Sequence, residues 1–511
     1  MKRKWSTLFY ILIVAGLGIV IYWITKQGNV LQSPALTAQQ IQTEKDTAAV
    51  SDFHIFTDSF NHHLSEPLAV LLLQIIVIIA FARLFGFLFK KIGQPAVIGE
   101  IVAGIILGPS IVGAYFPEIN HFLFPAASLV TLSFLSQIGL ILFMFIVGME
   151  LDLKAIGKQA YGAVIISHAS IIIPFTLGMG LAYFIYRNYA PAGISFLSFA
   201  LFMGIAMSIT AFPVLARILQ EKKLSRSKLG ALAITCASAD DITAWCILAA
   251  VIALVKSGSS ISALYTIGLA IIYVLVMLKV IRPFLERLST VYDNKEKKRT
   301  PIIALLFILL IISAYVTSII GIHALFGAFM AGVIMPSSFS FRKIVIDKIE
   351  DVSIILLLPL FFVITGLRTQ IGLLNEAHLW ITFGWILLVA VAGKFGGSAM
   401  AARIVGQSWK DSLSIGVLMN TRGLMELIVL NIGYDLGILS PEIFAMMVLM
   451  ALVTTFMTGP ALDLINWLMP EKAEKMESSA VTNAPPSPLV GDTGGGDERS
   501  GTPTAEEKYW K

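Results

Sequence analysis

Charge is what this sequence has least of. Only 14% of its 511 residues are Asp, Glu, Lys or Arg, against about 25% in a soluble domain. A water-facing surface wrapped around one core is therefore excluded. Cysteine is scarcer still. Cys236 and Cys246 are the only two, ten positions apart in one apolar run, so there is no disulfide framework. No Gly-x-Gly-x-x-Gly follows the last apolar segment, and no appended nucleotide-binding regulatory domain is expected. The net charge of +5 comes from Lys and Arg lying between hydrophobic runs rather than along one face, which points away from nucleic acid. No cofactor is expected, and no metal beyond a transported cation.

What is present is apolar length. Hydrophobic residues make up 57% of the chain and the mean hydropathy is +0.83. An apolar run over 8–25 is followed by thirteen more, near 67–90, 95–113, 129–148, 160–186, 195–218, 229–255, 262–282, 301–319, 323–337, 351–367, 379–402, 411–432 and 441–468. Such runs read as bilayer-spanning helices, so the fold class is an all-α polytopic membrane protein. Residues 1–28, opening with Met1-Lys-Arg-Lys4, read as an uncleaved anchor helix rather than a signal peptide. Residues 29–66 form an external polar stretch whose His54, His62 and His63 read as ordinary loop histidines. The membrane domain covers 67–470. The Pro-, Ser- and Gly-rich tail 471–511 is expected to be disordered. Lys90-Lys91, Lys154, Lys158, Lys222-Lys223, Arg226, Lys228, Lys295 to Arg299, Arg342-Lys343 and Lys348 gather on one side. The opposite loops carry single charges such as Arg187, Lys256 and Arg368. That asymmetry puts the C-terminus in the cytoplasm.

The segments repeat. Gly99-Glu-Ile-Val-Ala103-Gly104 to Pro109-Ser110 in the second matches Gly327-Ala-Phe-Met-Ala331-Gly332 to Pro336-Ser337 in the ninth. Gly204-Ile-Ala-Met-Ser208-Ile-Thr210 in the fifth matches Gly416-Val-Leu-Met-Asn420-Thr421 in the twelfth. Each pair is seven segments apart. Seven is odd, so the partners cross the bilayer in opposite senses, as in inverted repeats covering about 67–255 and 301–470.

Three features could assemble one site. Asp240 and Asp241 lie near the middle of the run Leu229–Val255, where one ionised group costs roughly 3 kcal/mol. Two adjacent ones require partners, and they mark an ion or proton site. Lys394, in Val391-Ala-Gly-Lys-Phe-Gly-Gly397 at mid-segment, needs an anion, and a central Asp is the economical choice. Two segments are interrupted at equivalent positions. Ser208, Thr210 and Pro213 break the fifth, and Asn420, Thr421, Arg422 and Gly423 break the twelfth. Freed carbonyls there can coordinate a cation, while Lys394 and Arg422 offset opposed helix-end dipoles. Arg422 and Glu426, four apart, read as a structural pair. Glu100 and Glu150 approach helix ends and are not taken as ligands. His168 and His323 read as satisfied interior histidines.

Several stretches carry a family resemblance. Gln94-Pro-Ala-Val-Ile-Gly-Glu100, Ala103-Gly-Ile-Ile-Leu-Gly-Pro-Ser110 and Phe145-Ile-Val-Gly-Met-Glu-Leu-Asp152 resemble the second branch of the monovalent cation/proton antiporters. Ala237-Ser-Ala-Asp-Asp-Ile-Thr-Ala-Trp245 and Met419-Asn-Thr-Arg-Gly-Leu-Met-Glu-Leu427 are closer to the plant and fungal cation/proton exchangers and their bacterial relatives. The resemblance covers about 67–470. It implies an inverted-repeat antiporter fold of 13 core helices, here with one extra N-terminal helix and two broken crossing helices. It also implies a homodimer, with a scaffold bundle and a mobile six-helix bundle, in a bacterial inner membrane. Its implied activity is exchange of Na+ and/or K+ for H+. Asp241 matches the cation and proton carrier, Asp240 the carboxylate paired with Lys394, and Thr210 the polar position of the first broken helix. The candidate ion- and proton-binding set is thus Asp241, Asp240, Thr210 and Ser208. Pro213, Asn420, Thr421, Arg422 and Glu426 support the broken helices. The exchangers' long cytoplasmic regulatory domain is not matched, which leaves regulation and cation choice open. The other readings are a sodium-coupled organic anion transporter, a cation channel and an intramembrane aspartyl protease. The last needs facing carboxylates on separate helices, whereas these are neighbours about 100° apart on one.

Overall fold

A computed structural model describes residues 15–27, 52–150, 160–222, 224, 227–256, 260–294, 299–336, 342, 346 and 349–469. The tail 471–511 and the whole of 29–51 lie outside the described residues. Among those described the regular structure is helical throughout. In chain order the helices used below are α1 (15–27), α2 (Asp52–Leu64), α3 (Pro67–Lys91), α4 (Ala96–Leu107), α5 (Ala126–Glu150), α6 (Ala160–Tyr189), α7 (Phe196–Ser208) and α8 (Phe212–Glu221). They continue as α9 (Lys228–Lys256), α10 (Ser260–Val276), α11 (Arg299–Ile320), α12 (Ala324–Val333), α13 (Leu358–Arg368), α14 (Ala377–Val391), α15 (Trp409–Met419), α16 (Leu424–Asp435) and α17 (Pro441–Leu468). Among the described residues, eleven spans are long and apolar enough to cross a bilayer. The pair α15 and α16, bent by 40°, adds a twelfth, and α12 is a shorter apolar helix.

Hydrophobic side chains also cover the outside. On α3, Val70, Gln74, Ile78, Ala82 and Gly86 recur every fourth residue and are buried, while Leu68, Leu72 and Ile76 on the opposite face are more than half exposed. A helix that is apolar on its exposed face as well suits hydrocarbon rather than water, and the chain is an integral membrane protein. His168 departs from the reading above. It sits on the exposed face of α6, its ring bonded to the Val164 carbonyl of its own helix at 2.8 Å, so it is not interior. Residues 52–64 also form a helix rather than a loop, with His62 and His63 exposed at its end. The seventh span runs past its expected end at 282. A π-turn over Met277–Ile281 leads into an amphipathic extension, Arg282–Asn294.

Backbone contacts divide the helices into two bundles. One holds α3, α4, α5, α11, α12 and α13. The other holds α6, α7, α8, α9, α14, α15, α16 and α17. Helix α10 touches α9 of the second bundle and α11 of the first. The apolar core is continuous between them, with Trp245 of α9 stacked on Phe329 of α12 at 5.9 Å.

Glycines set the close approaches, and they do so in matched pairs. A Cβ on Gly99 of α4 would strike the Phe85 carbonyl of α3, and one on Gly327 of α12 would strike the Ser313 carbonyl of α11. Five residues on, Gly104 meets α13 at Val363 and Gly366, and Gly332 meets α5 at Phe145 and Gly148. In the other bundle Gly204 abuts the Phe175 carbonyl of α6, and Gly416 abuts the Phe395 carbonyl beyond α14. The equivalent residues of the sequence repeat thus meet equivalent neighbours. Gly332→Ala forces helix backbones apart and is expected to cost about 1–3 kcal/mol, read as a lower melting temperature in detergent. An unchanged melting temperature would contradict so close an approach.

Candidate functional site

The two broken helices cross at the centre of the larger bundle. Chain 209–211 is extended between α7 and α8, and chain 421–423 separates α15 from α16. Pro213 lies in the first turn of α8, where its missing N–H costs nothing and its fixed φ favours helix. It starts the second half-helix rather than kinking a continuous one. The crossing strands are tied by Ala211 N–H donating to the Thr421 carbonyl at 3.0 Å. Thr455 of α17 accepts from the Arg422 N–H at 3.2 Å and donates to its carbonyl at 2.8 Å, serving backbone groups that no helix satisfies.

Opposite this crossing, α9 presents Asp240 and Asp241, both 0% exposed. Their surroundings differ completely. Asp240 accepts at one oxygen from Ser167 at 2.6 Å, and at the other from Ser170 at 2.5 Å, Thr210 at 2.7 Å and Lys394 at 3.1 Å. Neither oxygen of Asp241 has a hydrogen-bond partner among the described residues. Buried polar groups are almost always bonded, and an isolated buried carboxylate is costlier than a neutral group. The pair therefore splits into one saturated acid and one free acid.

Lys394 stands in a π-turn, Ala392–Gly396, that follows α14. That turn brings its ammonium, 0% exposed, to Asp240, to the Ser170 carbonyl at 2.9 Å and to the Ser208 carbonyl. Arg422 donates to the carbonyls of Ala206 at 3.0 Å and Met207 at 2.9 Å. The last three carbonyls of α7 are thus met by two cations, as the negative end of a helix dipole favours. The expectation of opposed helix ends is corrected here: Lys394 and Arg422 converge on one end. At the facing end of α15, the Thr210 hydroxyl also lies 3.0 Å from the Met419 carbonyl. Its one proton serves either that carbonyl or Asp240.

The remaining candidates are placed as follows. The Ser208 hydroxyl donates to the Gly204 carbonyl of its own helix at 2.6 Å, leaving its carbonyl for Lys394. The Asn420 side-chain oxygen is buried without a hydrogen-bond partner among the described residues. Thr421 reaches Thr458 at 3.4 Å. Glu426 lies 3.2 Å from Arg422, close enough for an ion pair although the geometry is not that of a hydrogen bond. Glu100 and Glu150 are not among the partners of the aspartates. His323 caps α12 through its own side chain at 3.4 Å.

Sequence reading missed Ser167 and Ser170. Their signal is the spacing Ser167-His-Ala-Ser170, one turn apart on α6, a helix otherwise apolar around them. Alone it is a weak signal, because serine is common in membrane helices. The Asp240 carboxylate makes it specific.

The description "Sodium/hydrogen exchanger, transmembrane" matches residues 76–466. The Na(+)/H(+) antiporter NhaS4 of Synechocystis is 43% identical over 78% of this chain and 97% of that protein. The Cation/H(+) antiporter 17 of Arabidopsis thaliana is 41% identical over 78% of this chain and 48% of its own length. The K(+)/H(+) antiporter 1 of Saccharomyces cerevisiae is 34% identical over 80% of this chain and 47% of its own length. The chain spans about half the length of the plant and yeast relatives. The fold is shared with the sodium proton antiporter MjNhaP1 from Methanocaldococcus jannaschii, with a TM-score of 0.57 at 15% identity over 79% of this chain and 97% of that one. By residues, fold and relatives together, the chain belongs to the sodium/hydrogen exchanger family of transmembrane antiporters.

Proposed function

We propose that this protein exchanges a monovalent cation, Na+ and/or K+, for protons by alternating access, with cation and proton competing for Asp241. One observation carries the reading: a fully buried carboxylate without a hydrogen-bond partner lies beside one that has four donors. A proton or a cation can neutralise Asp241, but not both at once, and that competition couples the fluxes. Hard monovalent cations suit oxygen ligands: Asp241 offers two oxygens with no hydrogen-bond partner among the described residues, and Thr210 and the carbonyls of the broken helices join it by exchanging their present partners. The bundle carrying the site moves against the scaffold bundle along the apolar seam between them. The resemblance implies a homodimer in a bacterial inner membrane, and the charge asymmetry of the loops puts the C-terminus in the cytoplasm.

The test is proton-flux fluorescence in everted vesicles, with sodium, potassium, lithium and rubidium added separately. Dequenching that depends on at least one cation is expected. Flux indifferent to every cation, or current without any proton movement, removes the exchange reading and leaves a channel.

Exchange is expected to be electrogenic. With Asp240 and Asp241 ionised and Lys394 charged, the site carries a formal −1. One cation brings it to zero, and two protons bring it to +1 when Asp240 also releases Lys394. One elementary charge moved through the field is worth about 2.3 kcal/mol per 100 mV. In proteoliposomes with a fixed sodium gradient and a potential clamped by valinomycin and potassium, the proton gradient at which net flux vanishes should shift with voltage. A null point independent of voltage makes Asp240 a structural partner and the exchange one-for-one.

A further inference from the structure

The two bundles are joined at one end by a compact set of polar contacts. Arg368 closes the last turn of α13 in the scaffold bundle, and Asp435 is the last residue of α16 in the bundle that carries the aspartates. The Arg368 guanidinium donates to the Asn431 side-chain oxygen at 2.9 Å and pairs with Asp435 at 2.9 Å. It also lies 5.8 Å from the Tyr434 ring. The Asn431 amide in turn donates to Thr365 of α13 at 2.9 Å and to the Leu427 carbonyl at 2.9 Å. Thr365 is fully buried and Asn431 nearly so. The charge asymmetry of the loops places this end on the outer side, away from Lys90, Lys91 and Lys222.

Directly beneath these contacts lies a narrow cavity of about 30 Å³ between the bundles. Ser133, Ser136, Gln137 and His323 face it from the scaffold side, and Asn431 and Asp435 face it from the other. Leu140, Leu325, Phe361, Ile364, Ile428 and Ile432 complete the lining, so polar side chains stand on both walls of a cleft that is otherwise apolar, and the volume holds about two waters. Helix α16 runs from the broken crossing to Asp435, so at 1.5 Å per residue the latch stands about 17 Å outward from the site.

We infer that this cleft is the outer access path for the transported ions in its closed state, and that Arg368 is the positioning residue that bolts it shut. The inference rests on the alternating-access reading above. Four features support it: Arg368 and Thr365 of one bundle meet Asn431 and Asp435 of the other, these contacts cap a cleft with polar side chains on both walls, they stand on the helix that begins at the site, and a single guanidinium holds two of the partners. Asn431 and Asp435 engage the same guanidinium nitrogen, so a small displacement of α16 breaks both contacts together. Opening the outside therefore requires Arg368 to release the pair, and its removal shifts the protein toward the outward-open form.

The experiment places a single cysteine at Ser136, which is almost fully buried in the cleft wall, by Ser136→Cys with Cys236→Ala and Cys246→Ala. Right-side-out vesicles are treated with a membrane-impermeant maleimide. Labelling should be slow in this parent and about tenfold faster with Asp435→Asn or Arg368→Gln, a shift equivalent to about 1.4 kcal/mol. The swapped pair Arg368→Asp with Asp435→Arg should return the rate toward the parent, a rescue that general loosening would not give. Asp435 is nearly half exposed, so Asp435→Asn carries the test if Arg368→Gln fails to fold. Labelling unchanged within twofold in the folded single variants, or no rescue by the swap, overturns the latch. Everted vesicles of the parent are assayed in parallel. Normal cation-driven proton flux with unchanged labelling removes the latch alone, whereas absent flux removes the exchange reading and the latch with it.

Discussion

Asp241→Asn is expected to abolish cation-driven proton movement, by at least a hundredfold, while folded protein remains in the membrane. Both oxygens of Asp241 are buried and unbonded among the described residues, so no hydrogen bond described there is lost with its charge. Asn preserves the volume and removes only the group that can hold a proton or a cation. Replacing an uncompensated buried carboxylate by a neutral amide also lifts a desolvation cost. The melting temperature in detergent should accordingly stay level or rise, so loss of transport and loss of stability separate. Normal sodium- or potassium-driven proton flux from purified Asp241→Asn would end the assignment of this carboxylate as the shared site.

Lys394→Ala is expected to act mainly on stability. Its ammonium holds Asp240, the Ser170 carbonyl and the Ser208 carbonyl at once. Removal leaves a buried carboxylate without its charge partner, at a cost on the order of 3–5 kcal/mol before relaxation. It also leaves the C-terminal end of α7 one cation short. Ser167, Ser170 and Thr210 still donate to Asp240, so the loss should fall short of complete unfolding, and Asp240 is expected to take up a proton. The double variant Asp240→Asn with Lys394→Gln removes both charges and should recover part of the lost stability. Melting temperatures of the wild type, the two single variants and the double variant form the cycle that measures the coupling. Strictly additive losses would mean that the two residues are not energetic partners, whatever their 3.1 Å separation.

The same contacts weigh against an organic-anion substrate at this site. Such a reading needs Lys394 or Arg422 to be available to the anion. Lys394 already has Asp240 and two backbone carbonyls, and both terminal nitrogens of Arg422 are occupied by Ala206 and Met207. The two cations serve the broken helix rather than a ligand.

What the sequence determined by itself is whatever follows from the local cost of a group in hydrocarbon. Runs such as Leu229–Val255 had to be membrane helices, because nothing else buries that much apolar chain with its backbone bonded. Asp240, Asp241 and Lys394 had to be exceptional, because each sits far from either end of such a run. Proline and polar residues at matched repeat positions marked the breaks, and glycines at matched positions marked the close approaches. The residues alone did not say which aspartate was free; the motif resemblance assigned the roles, and packing supplied the physical distinction. Asp240 is saturated by residues 73, 70, 30 and 154 positions away, and no local pattern reports contacts at such separations. Tertiary structure likewise brought Lys394 and Arg422 to one helix end, turned His168 outward, and joined Arg368 to Asn431 and Asp435. Hydropathy is a property of one helix against its solvent, and it fixes which segments enter the bilayer. Which face of each helix meets which neighbour is set by side-chain packing between helices, since lipid and protein interior are equally apolar and burial alone does not choose between them.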